Sequence, residues 1–215
     1  MTLSGERIGR DELARPVLDV ARDLLGCRIA RGGVVVRITE TEAYAGGTDP
    51  ASTVLARPTP HNAPVFGPAG HAFVYFTYGH HWMLCVVTDG PGVPNVVLVR
   101  AAEVVSGHDV VASRRGAATA RDWCRGPGRL TRAIGVTGSN SGSDLCGDED
   151  GDGLSLWSPA SEDRPAVLTG PRVGVRGPGG DGTAYPWRFW LEGEPTVSPY
   201  RRAAPRPPAR PRRGS

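Results

Sequence analysis

Residues 34–44 read Val34-Val35-Val36-Arg37-Ile38-Thr39-Glu40-Thr41-Glu42-Ala43-Tyr44, a run that opens on apolar residues and closes on two carboxylates and a phenol. Val, Ile, Thr and Tyr favour an extended chain, in which successive side chains point to opposite faces. Glu40, Glu42 and Tyr44 then share one face of a strand. Two readings stand for that face: a solvated surface carrying charge, or a strand end that leaves the core and enters a pocket. The Val-rich opening and the Tyr at the exit speak for the pocket.

Around this strand the chain divides into short elements. Upstream, Pro16-Val17-Leu18-Asp19-Val20-Ala21-Arg22-Asp23-Leu24-Leu25-Gly26 has apolar residues at helical spacing, Pro near its start and Gly at its stop, and reads as a helix packed on a core. Further strands are expected at Cys27–Ala30, Ala72–Tyr78, Met83–Val87 and Val96–Arg100, with a Pro/Gly-rich loop from Ala45 to Gly70. Gly126–Gly135 reads as a short capped helix; Leu154–Trp157, Arg172–Val175 and Trp187–Leu191 read as strands; 138–153 and 177–183 read as loops. Many strands with few helices long enough for crossovers predict an α+β fold: a single domain with a mixed, mostly antiparallel sheet and a few flanking helices.

At 215 residues the chain can bury one sizeable core, and 39% apolar with 22% charged residues is the composition of a globular protein. No apolar run reaches the roughly 18 residues of a membrane helix, and the charged start MTLSGERIGRDELARP has no secretory pattern, so a cytoplasmic location is expected. Cys27, Cys85, Cys124 and Cys146 lie far apart without a C-x-x-C pair, which argues against a zinc site and a disulfide framework. All 25 basic residues are arginine, so chemistry through a lysine Schiff base is excluded. Six of those arginines fall in 198–215; the body, 1–197, keeps 19 against 22 acids, a balance of −3. The expectation is a compact body, 1–197, followed by a disordered Arg/Pro-rich tail, 198–215, which either holds polyanions or is a solvated remnant.

A second cluster, Phe73-Val74-Tyr75-Phe76-Thr77-Tyr78-Gly79-His80-His81-Trp82, carries rings at seven of ten positions. Core packing accounts for some of them, but Tyr and His bring polar tips that need partners when buried. Strand parity sends Tyr75 and Tyr78 to opposite sides unless Gly79 redirects the second. Adjacent His80 and His81 point apart in an extended chain and have no third ligand at a familiar spacing, so no metal and no cofactor are expected.

Taken in order and spacing, ITETEAY, TPHNAPVFGPAGHAFVYFTYGHHW, VPNVVLVRAAEV, GPGRL and PRVGV resemble the alkyladenine (3-methylpurine) DNA glycosylase family, from about Pro16 to Val197. The resemblance implies a single domain with an antiparallel sheet that flips a damaged purine from duplex DNA and hydrolyses its N-glycosidic bond. It implies damaged double-stranded DNA as partner, with no membrane and no obligate protein partner, and a monomer. By the same resemblance Glu42 is the general base that deprotonates the attacking water, and Arg100 helps to hold water and carboxylate with a backbone carbonyl of the 172–175 stretch. Tyr44 and Tyr75 match the rings that sandwich the flipped base, and Tyr78 matches the wedge that fills the vacated stack.

Three positions depart from the family pattern. Thr53, in Asp49-Pro50-Ala51-Ser52-Thr53, stands where a His usually lines the base pocket; Cys85 replaces an Asn that restricts guanine-type bases. His61, in Thr59-Pro60-His61-Asn62, replaces an Arg expected to contact the DNA backbone. The expectation is a monofunctional glycosylase acting on alkylated purines; the alternatives are a lesion-binding protein of the same fold that does not excise, and an unrelated nucleoside or sugar hydrolase.

Overall fold

The computed structural model describes residues 5–52, 57–77, 79–147, 153–160 and 165–204. Its strands are β1 (Arg28–Arg31), β2 (Val34–Ala45), β3 (Ala72–Thr77), β4 (His81–Thr88), β5 (Asn95–Ser106), β6 (Ser155–Trp157), β7 (Val167–Gly170) and β8 (Arg188–Leu191). The helices are α1 (Arg10–Leu13), α2 (Val17–Asp23), α3 (His108–Arg115) and α4 (Pro127–Ile134). Neighbours run β3-β4-β5-β2-β1-β6, with β8 pairing both β2 and β7, and every strand pairing among the described residues is antiparallel. The α+β architecture is as the sequence predicts.

The strand β2 is the axis of the sheet. One edge pairs β5 from Val35 to Ala45; the other is shared, with β1 on Val34–Arg37 and β8 on Glu40–Glu42. Burial alternates at its start and becomes complete from Ile38 to Ala43, as expected of a strand covered on both faces.

Parity on β3, β4 and β5 separates two cores. Val74, Leu84, Val86, Val97 and Val99 face the main core, which α2 enters with Val17, Val20 and Ala21, and α4 with Leu130, Ala133 and Ile134. Burial of Leu130 and Ile134 contributes roughly 1.5–3 kcal/mol each. The alternate residues Phe73, Met83, Cys85, Val87, Val96 and Leu98 form a smaller core on the opposite face, flanked by Tyr44 and Tyr75.

Three expectations need correction. Arg172–Val175 is not a strand: Val173–Gly174 form a turn with Gly174 at φ 72°, and the strand lies earlier, at β7. Pro171 lacks the N–H to continue the ladder. α3, joined to β5 through Gly107, has no counterpart among the expected helices, because HDVVASRR buries only Val111 and shows no apolar stripe. A Cβ at Gly107 would stand 2.7 Å from the Gly33 carbonyl oxygen, and its φ of 78° lies in the left-handed region that favours glycine. Finally, the body does not stop at Val197. Ser198 is buried, Gly174 N–H donates to the Arg201 carbonyl at 2.9 Å, and Arg176 Nε donates to the Ala204 carbonyl at 3.1 Å.

Candidate active site

Pairing between β2 and β5 slips twice where the site lies. Thr41 pairs Val99 and Glu40 pairs Ala101, so Arg100 is the extra residue of one bulge; Ile38 pairs Ala102, so Thr39 is the extra residue of the next. Bulges bend a strand and re-aim side chains, and here Arg100 turns onto the face that carries Glu40 and Glu42. Its Nε donates to Glu40 Oε1 at 3.1 Å and its Nη1 to Glu42 Oε2 at 3.3 Å. Thr41, on the opposite face, donates from Oγ1 to the Ala21 carbonyl of α2 at 2.7 Å, which locks the strand to the helix.

Both glutamates are 0% exposed, which rules out a solvated charged face. Glu42 Oε1 accepts from the Val173 N–H at 2.7 Å, and Oε2 accepts from Tyr44 Oη at 2.8 Å as well as from Arg100. The 172–175 stretch therefore meets Glu42 through a backbone N–H. Glu40 Oε1 accepts from Arg188 Nε at 2.6 Å, and Ser198 donates to the two oxygens of Glu40 from Oγ at 2.9 Å and from N–H at 2.7 Å. Two acids and two guanidiniums thus balance in a nearly dry volume. Burial acts to lower the Arg100 pKa but is outweighed by Glu42 and Glu40, which raise it well above the usual arginine value. Tyr44 is held well above the usual phenol range, by burial first and then by the Glu42 charge and hydrogen bond, so its hydroxyl keeps its proton.

A second buried pair supports the site from below. Arg172 reaches both oxygens of Asp49, with Nη2 at 2.7 Å from Oδ1, and donates to the Ala43 and Gly179 carbonyls at 2.8 Å each. Its guanidinium lies 4.7 Å from the Tyr44 ring centre and 5.3 Å from that of Trp187. A Cβ on Gly179 would stand 2.6 Å from Ala51, so only glycine lets this loop close on the wall beside Pro50.

That wall belongs to a cavity of about 520 Å³, lined by Tyr44, Ser52, His61, Phe73, Tyr75, Cys85 and Arg176 among others. Its size is that of a small-ligand pocket, roughly 300–1,000 Å³. Tyr44, Tyr75, Cys85 and His61 are thus brought together, while Glu42 and Arg100 sit behind Tyr44. Phe73 stacks on Tyr75 at 5.3 Å, and His61 is exposed beside Asn62, whose Oδ1 accepts from the Thr59 N–H at 2.6 Å. Burial pushes the Cys85 thiol well above its usual range, with the Glu42 charge adding to it, so the thiol is neutral and unreactive. Thr53 and Tyr78 lie outside the described residues. His80 and His81 lie ring to ring at 3.9 Å, and among the described residues no three His, Cys, Asp or Glu side chains group as a metal would need. Asp49, Arg172, Arg188 and Ser198 are site residues that sequence reasoning did not single out; only PRVGV and D-P-A-S, noted for other reasons, pointed near two of them.

The sequence profile described as Methylpurine-DNA glycosylase matches residues 11–195. The chain belongs to that family. Among methylpurine-DNA glycosylase relatives, a protein of Frankia casuarinae named "Putative 3-methyladenine DNA glycosylase" is 47% identical over 211 residues, covering 95% of each chain. Proteins of the same name from Streptomyces avermitilis and Leifsonia xyli subsp. xyli are 43% and 44% identical, over 92% and 90% of this chain and 93% and 92% of their own.

Proposed function

We propose that this protein is a monofunctional DNA glycosylase that takes an alkylated purine out of duplex DNA and hydrolyses its N-glycosidic bond. The observation that carries the reading is Glu42, buried, paired with Arg100 and fixed by three donors next to an aromatic cavity. A carboxylate has about four lone-pair directions, and three are taken here, which leaves one for water.

In the proposed reaction the C1′–N bond breaks with its electron pair going to the base, and the sugar gains oxocarbenium character. The carboxylate stabilises that charge, and water attacks C1′ while Glu42 takes its proton. A cationic alkylpurine leaves as a neutral base and so needs no general acid. Tyr44 and Tyr75 supply stacking surface for the flipped base, and Tyr78 is the proposed wedge in the DNA, repaying part of the cost of unstacking. His61, on the cavity rim, is the proposed backbone contact. The partner is damaged double-stranded DNA, met by a monomer; no helix of the described residues is long and apolar enough to cross a membrane.

A chain without lysine has no internal amine at a side chain to form an imine with the abasic sugar. A duplex carrying one 7-methylguanine should therefore lose the base on incubation and break only after alkali. Strand breaks without alkali would refute the monofunctional assignment, and retention of the base with tight binding would make the protein a lesion binder instead.

A further inference from the structure

The proposed chemistry uses Glu42 and Arg100 and leaves Glu40, Arg188 and Ser198 without a part, although all three are buried beside them. We infer that Ser198 and Glu40 are positioning residues for the proposed hydrolysis, and that the segment after β8 acts as a strap that holds the donors of Glu42 in place. The inference rests on the glycosylase reading of this site.

Arg100 is held at three nitrogens. Nε meets Glu40 at 3.1 Å, Nη1 meets Glu42 at 3.3 Å, and Nη2 donates to Ser198 Oγ at 3.4 Å. Only the second contact serves the base directly. Without the other two, the guanidinium is free to turn both Nη groups onto Glu42 as a bidentate pair, the geometry that arginine and carboxylate favour. That arrangement would take the lone pair that water needs. Glu40 prevents it by competing for Nε, and Ser198 fixes Glu40 from the hydroxyl at 2.9 Å and from the N–H at 2.7 Å. Arg188 completes the clamp: its Nε meets Glu40 at 2.6 Å and its Nη2 donates to the Ser198 carbonyl at 2.8 Å.

The same segment reaches the other side of Glu42. The Arg201 carbonyl accepts from the Gly174 N–H at 2.9 Å, one residue beyond Val173, whose own N–H binds Glu42. Two more contacts keep the strap taut: Arg125 Nε to the Val197 carbonyl and Thr196 Oγ1 to Thr39 Oγ1, each at 2.9 Å. Two of the three donors to Glu42, Arg100 Nη1 and Val173 N–H, are therefore set by residues 196–201.

Ser198→Ala in the full-length chain tests this, because it leaves all four charges and every backbone bond in place. Two measurements are compared: single-turnover release of 7-methylguanine from duplex, and equilibrium binding to a duplex bearing one tetrahydrofuran abasic analogue. Release should fall about 10- to 100-fold, the scale set by losing a hydrogen bond to charged groups and by small misplacement at a reacting centre, while binding is unchanged. Ser198→Thr, which keeps the hydroxyl, should restore most of the rate. Equal release by Ser198→Ala and wild type overturns the role, and so does a loss of rate and binding together that Thr does not rescue. Should Ser198→Ala fail to fold, Glu40→Gln, of the same shape, takes its place, and release at the wild-type rate again overturns the role. A wild type that releases no base removes the glycosylase reading and the positioning role with it; a wild type that does, matched by the variant, removes the role alone.

Discussion

A carboxylate with no exposure, such as Glu42, survives in a fold only if its lost hydration is replaced. Here a guanidinium, a phenol and a backbone N–H replace it, and each comes from a different element, so the site exists only in the folded chain. Cys85 shows the opposite case. It lies in the cavity wall with a neutral thiol that offers the base edge almost nothing. An Asn amide at this place would clash with or fail to pair the exocyclic amino group of guanine. Cys85→Asn should therefore lower release of 7-methylguanine relative to 3-methyladenine by about tenfold, the worth of one hydrogen bond. Single-turnover release of the two bases by each protein checks it, and an unchanged ratio would place selectivity elsewhere in the wall. At this scale the strand face of Glu40, Glu42 and Tyr44 was legible from alternation alone. Asp49, Arg172, Arg188 and Ser198 were not, since an isolated Asp, Arg or Ser carries no periodicity and its partners lie far off in sequence.

Among the elements, β2 and the first half of β5 were readable as strands because both are rich in Val, β2 alternating at its start and 96–99 running continuously apolar; the extension of β5 to Ser106 was not read. The bulge that aims Arg100 was not, because VVLVRAAEVV contains no glycine or break to announce it. Arg172–Val175 misled for a related reason: Val173 and Val175 suggest a strand, but Pro171 and Gly174 make a turn whose N–H serves Glu42. That turn and the loop carrying Asp49 are joined by a fully buried ion pair. Removing one member of such a pair leaves a bare charge in the core, at a cost of about 3–5 kcal/mol. Asp49→Ala should accordingly lower the midpoint of guanidinium unfolding by that equivalent, and detach the Tyr44 ring from its support. A loss below about 1 kcal/mol, the value of an exposed pair, would mean that this loop opens in solution.

For the molecule as a whole, charge is divided between a slightly acidic body and an arginine-rich end. Because the strap runs at least to Ala204, removal of the tail belongs after that residue and not after Val197, where it would also remove Ser198. Loss of residues 205–215 takes away four arginines. Non-specific affinity for duplex DNA should fall, and the slope of log affinity against log salt should flatten by up to about 0.9 for each phosphate that the tail no longer neutralises. An identical slope would make the tail a bystander. All scales meet in the claim that Glu42 is the base of a DNA glycosylase whose binding and chemistry are separable. Glu42→Gln keeps the shape and removes the proton acceptor, so the decisive comparison is single-turnover release and equilibrium binding on one duplex carrying a single 7-methylguanine. Wild-type affinity with release abolished is the predicted result; release at the wild-type rate by Glu42→Gln would contradict the account.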